Sequence, residues 1–186
     1  MLKPHAPRRH TVGISTLAFV SLLLMLTASS CFAAMHLLSV GQILASRQVD
    51  REIAMRAAEV ALIDAEADVL AALAQGGGRL LHWPAAGHCS EGVGQGLCIP
   101  THDAPPSWWR WLDGQDVAEA ATFGTFTGAS LPVLPVGVTG ATMPPRYLLE
   151  PISDGLPGQL PRFRATALGF GRHAGVRVLL QSEFQP

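Results

Sequence analysis

Between Arg9 and Arg47 the sequence contains no Lys, Arg, Asp or Glu. A stretch that long without a charge excludes an ordinary solvated surface. From Val12 to Val40 it reads VGISTLAFVSLLLMLTASSCFAAMHLLSV, longer than the roughly 20 apolar residues that cross a bilayer. Other absences narrow the function. There is no G-x-S-x-G, no P-loop and no H-E-x-x-H, so neither enzyme chemistry nor a cofactor is expected. The lone run Gly92-x-Gly94-x-Gly96 reads as turn chemistry, and His82, His88, His102 and His173 are scattered with no paired nucleophile. A formal net charge of -1 leaves no basic footprint for nucleic acid. No internal repeat is apparent.

What is present is organised around one long helix. Proline is missing from Gly41 to Gln75, where the pattern turns amphipathic, and the helix stops at Gly76-Gly77-Gly78. Residues 14–75 are read as one helix of roughly 60 residues, on the order of 90–100 Å. Its membrane half covers about 14–40 and its amphipathic half 41–75. Before it lies a basic leader, 1–13, with Lys3, Arg8 and Arg9 and no acid. Positive charge beside an apolar segment keeps that end in the cytoplasm, so the head, 76–186, lies on the outer side. From the residues alone three fates are open. The segment is a plain anchor, a secretory signal cut near Ala33-Ala34, or a lipoprotein signal ending at Cys31 after Ala28-Ser29-Ser30.

Only three cysteines occur, and Cys89 and Cys98 share the loop HCSEGVGQGLC. In an exported head these two pair as a disulfide. The rival is a zinc site from His88, Cys89, Cys98 and His102, which lacks a C-x-x-C pair.

In the amphipathic half, Ile43, Leu44, Val49, Ile53, Val60, Ile63, Val69, Leu70 and Leu73 recur at helical spacing. Charges fill the gaps, with Glu52 and Arg56 four apart in the favourable order. They read as a solvated face; Asp64 and Asp68 could hold a cation but have no ligand loop. Small residues dominate Ala54 to Ala61, which permits close packing.

The segment DREIAMRAAEVALIDAEADV, Asp50 to Val69, resembles the one that follows the membrane helix in PilX-type minor pilins of type IV pili. The family signature is matched by Arg56-Ala57-Ala58-Glu59, Ala61-Leu62 and Ala65-Glu66. Arg8, Arg9 and Gly13 match its basic leader and leader glycine. The closing PRFRATALGFGRHAGVRVLLQSEF is similar in character to its final hairpin. The resemblance implies a fourth fate: prepilin peptidase cuts between Gly13 and Ile14, and Ile14 becomes the N-terminus. It implies a minor pilin that primes assembly, held single-pass in the bacterial inner membrane and then packed into the fibre with its head outside. Its partners are other minor pilins, the major pilin and the peptidase. Major pilins begin with Phe and carry Glu at mature position five; here Ile14 and Ala18 stand there, which points away from a bulk fibre subunit.

The head is rich in Gly and Pro. Strand signals come at Arg146–Ile152, Phe163–Leu168 and Gly175–Phe184, with Pro151 pushing the first toward an edge. Three or four antiparallel strands against the amphipathic half give an α+β, pilin-like fold. Ser107 is a candidate N-cap for a turn at Trp108–Leu112. Trp108, Trp109 and Trp111 either cap the core or form an exposed patch. The patch supports the alternative function, a membrane-tethered, adhesin-like binding module.

Overall fold

The computed structural model describes residues 11–152, 161–173 and 175–186. The first ten residues of the expected leader lie outside these. Helix α1 runs Thr11–Ala74. Packing divides the chain into two units, Met1–Arg47 and Gln48–Pro186.

In the first unit, α1 buries nothing: every residue from Thr16 to Arg47 is exposed. The helix is long and apolar enough to cross a membrane, with a mean hydropathy of 2.1 over its most apolar window. Its hydroxyls find partners on the helix itself. Ser21 donates to the Ala18 carbonyl at 2.9 Å, Thr27 to Leu24 at 3.0 Å and Ser39 to His36 at 2.8 Å. A helix that satisfies its own backbone and hydroxyls suits a medium without water.

In the second unit, the rest of α1 packs on a four-stranded antiparallel sheet in the order β1-β2-β3-β4. The strands are β1 (Ala121–Thr122), β2 (Arg146–Ile152), β3 (Arg162–Phe170) and β4 (Arg177–Phe184). The three long strands fall where the strand signals of the sequence placed them. β1 carries too few residues to show a period. The helix ends in a Schellman turn, where Gly77 N donates to Ala72 O at 2.8 Å and Gly76 N to Leu73 O at 3.1 Å. Both glycines take positive φ, 80° and 89°.

The covered stripe of α1 is Ala54, Ala58, Ala61, Ala65, Val69 and Ala72, spaced four, three, four, four and three apart, all buried. The bulkier Val49, Ile63, Leu70 and Leu73 are exposed. The sheet thus selects the small residues, because its backbone lies almost on the helix. A Cβ built on Gly169 would meet the Ala54 carbonyl oxygen, and would lie 2.5 Å from Ala58 N.

Pro151 sits inside the sheet yet costs no ladder bond. Leu149 N donates away from β3, to Gly96 O at 2.7 Å. With a period of two, position 151 faces the same way, past the end of β1, where no strand needs its missing N–H.

Two apolar clusters result. Between helix and sheet lie Val69, Leu97, Tyr147, Leu149 and Phe163 with the alanines. On the outer face, Leu148, Leu168 and Phe170 are covered by Cys98, Trp111 and Val117.

Candidate assembly surfaces

Gly13 and Ile14 lie within the backbone of α1. The signature Arg56-Ala57-Ala58-Glu59 divides by face. Ala58 is fully buried at the glycine contact. Arg56 lies on the surface and bonds Glu52 at 3.0 Å and Glu59 at 3.1 Å. Such exposed pairs contribute little, because water and salt screen them. Glu66 accepts a bond from Ser182 at 3.5 Å, on the β4 flank of the helix.

Three carboxylates of α1 are not solvated as their sequence context suggested. Asp50, Asp64 and Asp68 are all buried. Asp50 accepts the Arg172 amide and lies 2.8 Å from His173 Nδ1, tying the β3–β4 loop to the helix. Asp64 accepts Gly124 N at 2.7 Å and the Thr127 hydroxyl, fixing the chain after β1. Asp68 accepts the Tyr147 hydroxyl at 2.8 Å and pairs with Arg79 at 3.1 Å. Burial and the Asp68 charge raise the Tyr147 hydroxyl far above its usual range, so it remains a donor. Arg79 also donates to Gln95 O and stacks 3.6 Å over the Phe126 ring. The cation beside Asp68 is therefore Arg79 of the head, while Asp64 is held by an amide and a hydroxyl. Among the described residues no cluster of metal ligands occurs.

Cys89 and Cys98 form a disulfide, and Cys31 is free and exposed on α1. Closing so short a loop stabilises by roughly 2–3 kcal/mol. The loop hangs on the sheet through Cys98 N, which donates to Leu149 O at 2.8 Å.

The three tryptophans separate. A short helix α2, Trp109–Leu112, has no side-chain cap from Ser107. It turns Trp111 into the outer cluster and sets the half-buried Trp108 against it. Trp109 is 46% exposed and Leu112 55%. The open apolar surface here is Trp109 with Leu112, and Trp111 is core.

Glu150 was not singled out by the sequence. It is buried on the outer face of β2, opposite Arg164, and neither carboxylate oxygen has a hydrogen-bond partner among the described residues. Burial raises its pKa, partly opposed by Arg164. A pKa raised by folding contributes stability that is present below the ordinary value near 4.5 and lost as pH rises through the folded value. Glu150→Gln should therefore raise the melting temperature by a few degrees at pH 7.5, with the gain shrinking toward pH 4.5. Thermal melts of both proteins across that range check it; a pH-independent difference would assign the effect to packing.

A second feature the sequence reading passed over is the segment after β1. No charged residue occurs between Glu119 and Arg146. Its loop exposes Leu131, Val133, Leu134, Val136 and Val138, beside Ile53, Ala57 and Val60 of α1.

A long apolar helix that continues into an α+β head with a four-stranded antiparallel sheet defines a pilin-like protein. The family model for type IV pilus assembly protein PilX, C-terminal part, matches residues 85–186, more than half of the chain, and the chain belongs to that family. No curated protein and no solved structure matches it. Membership makes the chain a component of type IV pilus assembly, a structural role, and the apolar helix suits it to a membrane.

Proposed function

We propose that the protein is a minor pilin that helps to prime type IV pilus assembly, packing through its N-terminal helix. The observation that carries this is the contrast along α1. Its second half is held by a complete head, while from Thr16 to Arg47 no side chain is covered. Such a surface needs lipid during storage and other helices during assembly. Beyond Arg47, Ile63 and Leu70, seven residues apart, remain exposed on the side of α1 turned from the sheet. They extend the apolar surface that neighbouring pilins would meet. The uncharged start, with Ala18 where a bulk subunit carries Glu, supports a role at initiation. The partners in this reading are other minor pilins and the major pilin, with the head periplasmic or extracellular.

The test is the N-terminus of the protein recovered from membranes, with and without prepilin peptidase. The expected result is a peptidase-dependent start at Ile14. An uncut chain, or one beginning at a lipidated Cys31, overturns the reading.

A further inference from the structure

The loop between β1 and β2 turns its apolar side chains outward over residues 131–138. Val138 N donates to Pro135 O at 3.1 Å, and Gly137 has φ 86°. That is a turn with Val136 at its corner, and glycine permits the positive φ that follows. Val133 and Val136 are fully exposed, at 97% and 106%. Leu134 folds back instead, into the space that a Cβ on Gly140 would take. Two valines are thus held outward by a defined turn. An exposed apolar patch of this kind marks an interaction site.

The course of the loop along α1 places the patch. At its start, Gly124 and Thr127 are held by Asp64. Further on, Leu131, Leu134 and Val138 line a groove of about 430 Å³ with Ile53, Ala57 and Val60. At its end, Thr142 donates its amide and its hydroxyl to Gly171 O, at 2.9 and 3.1 Å. The next residue, Arg172, gives its amide to Asp50. The loop therefore descends α1 from Asp64 to the level of Asp50. That is the end of the head nearest in sequence to the apolar half. Ile53 stands six residues beyond Arg47, about 9 Å along the helix.

Continuity, length and charge all favour lipid as the occupant. The neighbouring stretch of the same helix is long and apolar enough to cross a membrane, so the patch borders a surface that already calls for lipid. The uncharged run between Arg9 and Arg47 extends about 55 Å as helix, against about 40–45 Å for a bilayer with its headgroups. Excess length of that kind is taken up by tilt, and tilt brings one flank of the head toward the surface. The loop can enter lipid without dehydrating a charge, because none occurs between Glu119 and Arg146. The β4 edge of the sheet cannot, since Arg162, Arg164 and Glu183 form an exposed ion cluster there. We propose that the turn carrying Val133 and Val136 inserts into the headgroup layer on the outer side of the membrane while the chain is stored there. Two valines make a weak second anchor, one that is given up when the chain leaves for the fibre. The inference rests on the pilin reading for the side of the membrane on which the head lies.

The test uses the full-length chain in vesicles of phosphatidylethanolamine and phosphatidylglycerol, with no other pilin present. An environment-sensitive fluorophore is attached by a maleimide, with Cys89 and Cys98 left paired. It is placed on the native Cys31 or, in a Cys31→Ser background, at Val136→Cys or Leu81→Cys. Leu81 is exposed and follows the far end of α1. Lipids spin-labelled high or low on the acyl chain act as quenchers. The expected result at Val136→Cys is a blue shift, with stronger quenching by the shallow label than by the deep one. At Leu81→Cys the emission should be water-like and unquenched. Water-like emission at Val136→Cys overturns the proposal. Equal quenching at both head positions also overturns it, because the head would then lie on lipid without regard to its loop. A shift at Val136→Cys that appears only when other pilins are added assigns the patch to a protein partner and overturns it as well. Val133→Asp in the Val136→Cys chain should abolish the shift with the melting temperature unchanged. A shift that survives would mean that the dye, not the turn, enters the bilayer. Cys31 keeps the two readings apart. Deep quenching there with none at Val136→Cys refutes the loop contact alone, whereas a water-like Cys31 refutes the membrane-stored helix.

Discussion

Gly169→Ala should lower the melting temperature of the head by roughly 10 °C, the equivalent of about 3 kcal/mol. The added methyl would occupy the space of the Ala54 carbonyl oxygen and crowd Ala58 N and its Cβ. These are atoms of a hydrogen-bonded helix, which cannot move aside as a flexible side chain does. The sheet must lift from α1 along its length, opening the alanine stripe from Ala54 to Ala72. Gly175→Ala supplies the control, because a Cβ there meets nothing within 4 Å. Near-ultraviolet circular dichroism of the purified proteins reports the loss of packing. Equal melting of Gly169→Ala and the unaltered protein would mean that the helix and sheet are further apart than described.

That contact explains what the sequence made legible and what it hid. The helix was readable from Thr11 to its glycine stop, because apolar run, missing proline and Gly76-Gly77 all agree. Three strands were readable between Arg146 and Phe184, from an apolar run, from alternation at Phe163–Leu168 and from a β-branched start after Gly175. The face of the helix that the sheet covers was not, because periodicity scores bulky apolar residues and this interface is built from alanine. Val49 and Ile63 are larger than Ala58 and yet exposed, since only a residue with one side-chain carbon fits beneath Gly169. Asp50, Asp64 and Asp68 misled for a related reason. A carboxylate on an amphipathic helix reads as solvated unless its partners are visible. Here those partners come from residues 122, 60 and 79 positions further along the chain, Arg172, Gly124 and Tyr147. The family assignment shows the same division. The resemblance rested mainly on the helix through Val69, where Arg56 to Glu66 carry the pattern. The family model matches residues 85–186, the disulfide loop and sheet. The two lines of evidence cover different parts of one chain and name the same family.

The pair of Asp68 and Arg79 should show the second large effect. Asp68→Ala removes the acceptor for Tyr147 and the counter-ion for Arg79 in one step. Arg79 is almost wholly buried; its Nη2 meets Asp68 and the Gln95 carbonyl, and its Nε and Nη1 have no hydrogen-bond partner among the described residues. Breaking a buried pair by deleting one partner costs about 3–5 kcal/mol, because the remaining charge is left in a medium that cannot solvate it. A loss of that size exceeds half the stability of many small domains. Arg79→Met in the same background removes the stranded charge and keeps a long side chain over the Phe126 ring. The double variant should therefore be more stable than Asp68→Ala alone, by about 1–3 kcal/mol. Urea unfolding of the four proteins completes the cycle. Additive effects of the two substitutions would show that the charges do not interact, and that α1 is held to the Arg79 segment by packing instead. If the double variant recovers, the ion pair is a fastener between the end of the helix and the loop that follows it. The head could then be tuned at this point without disturbing the apolar half of α1.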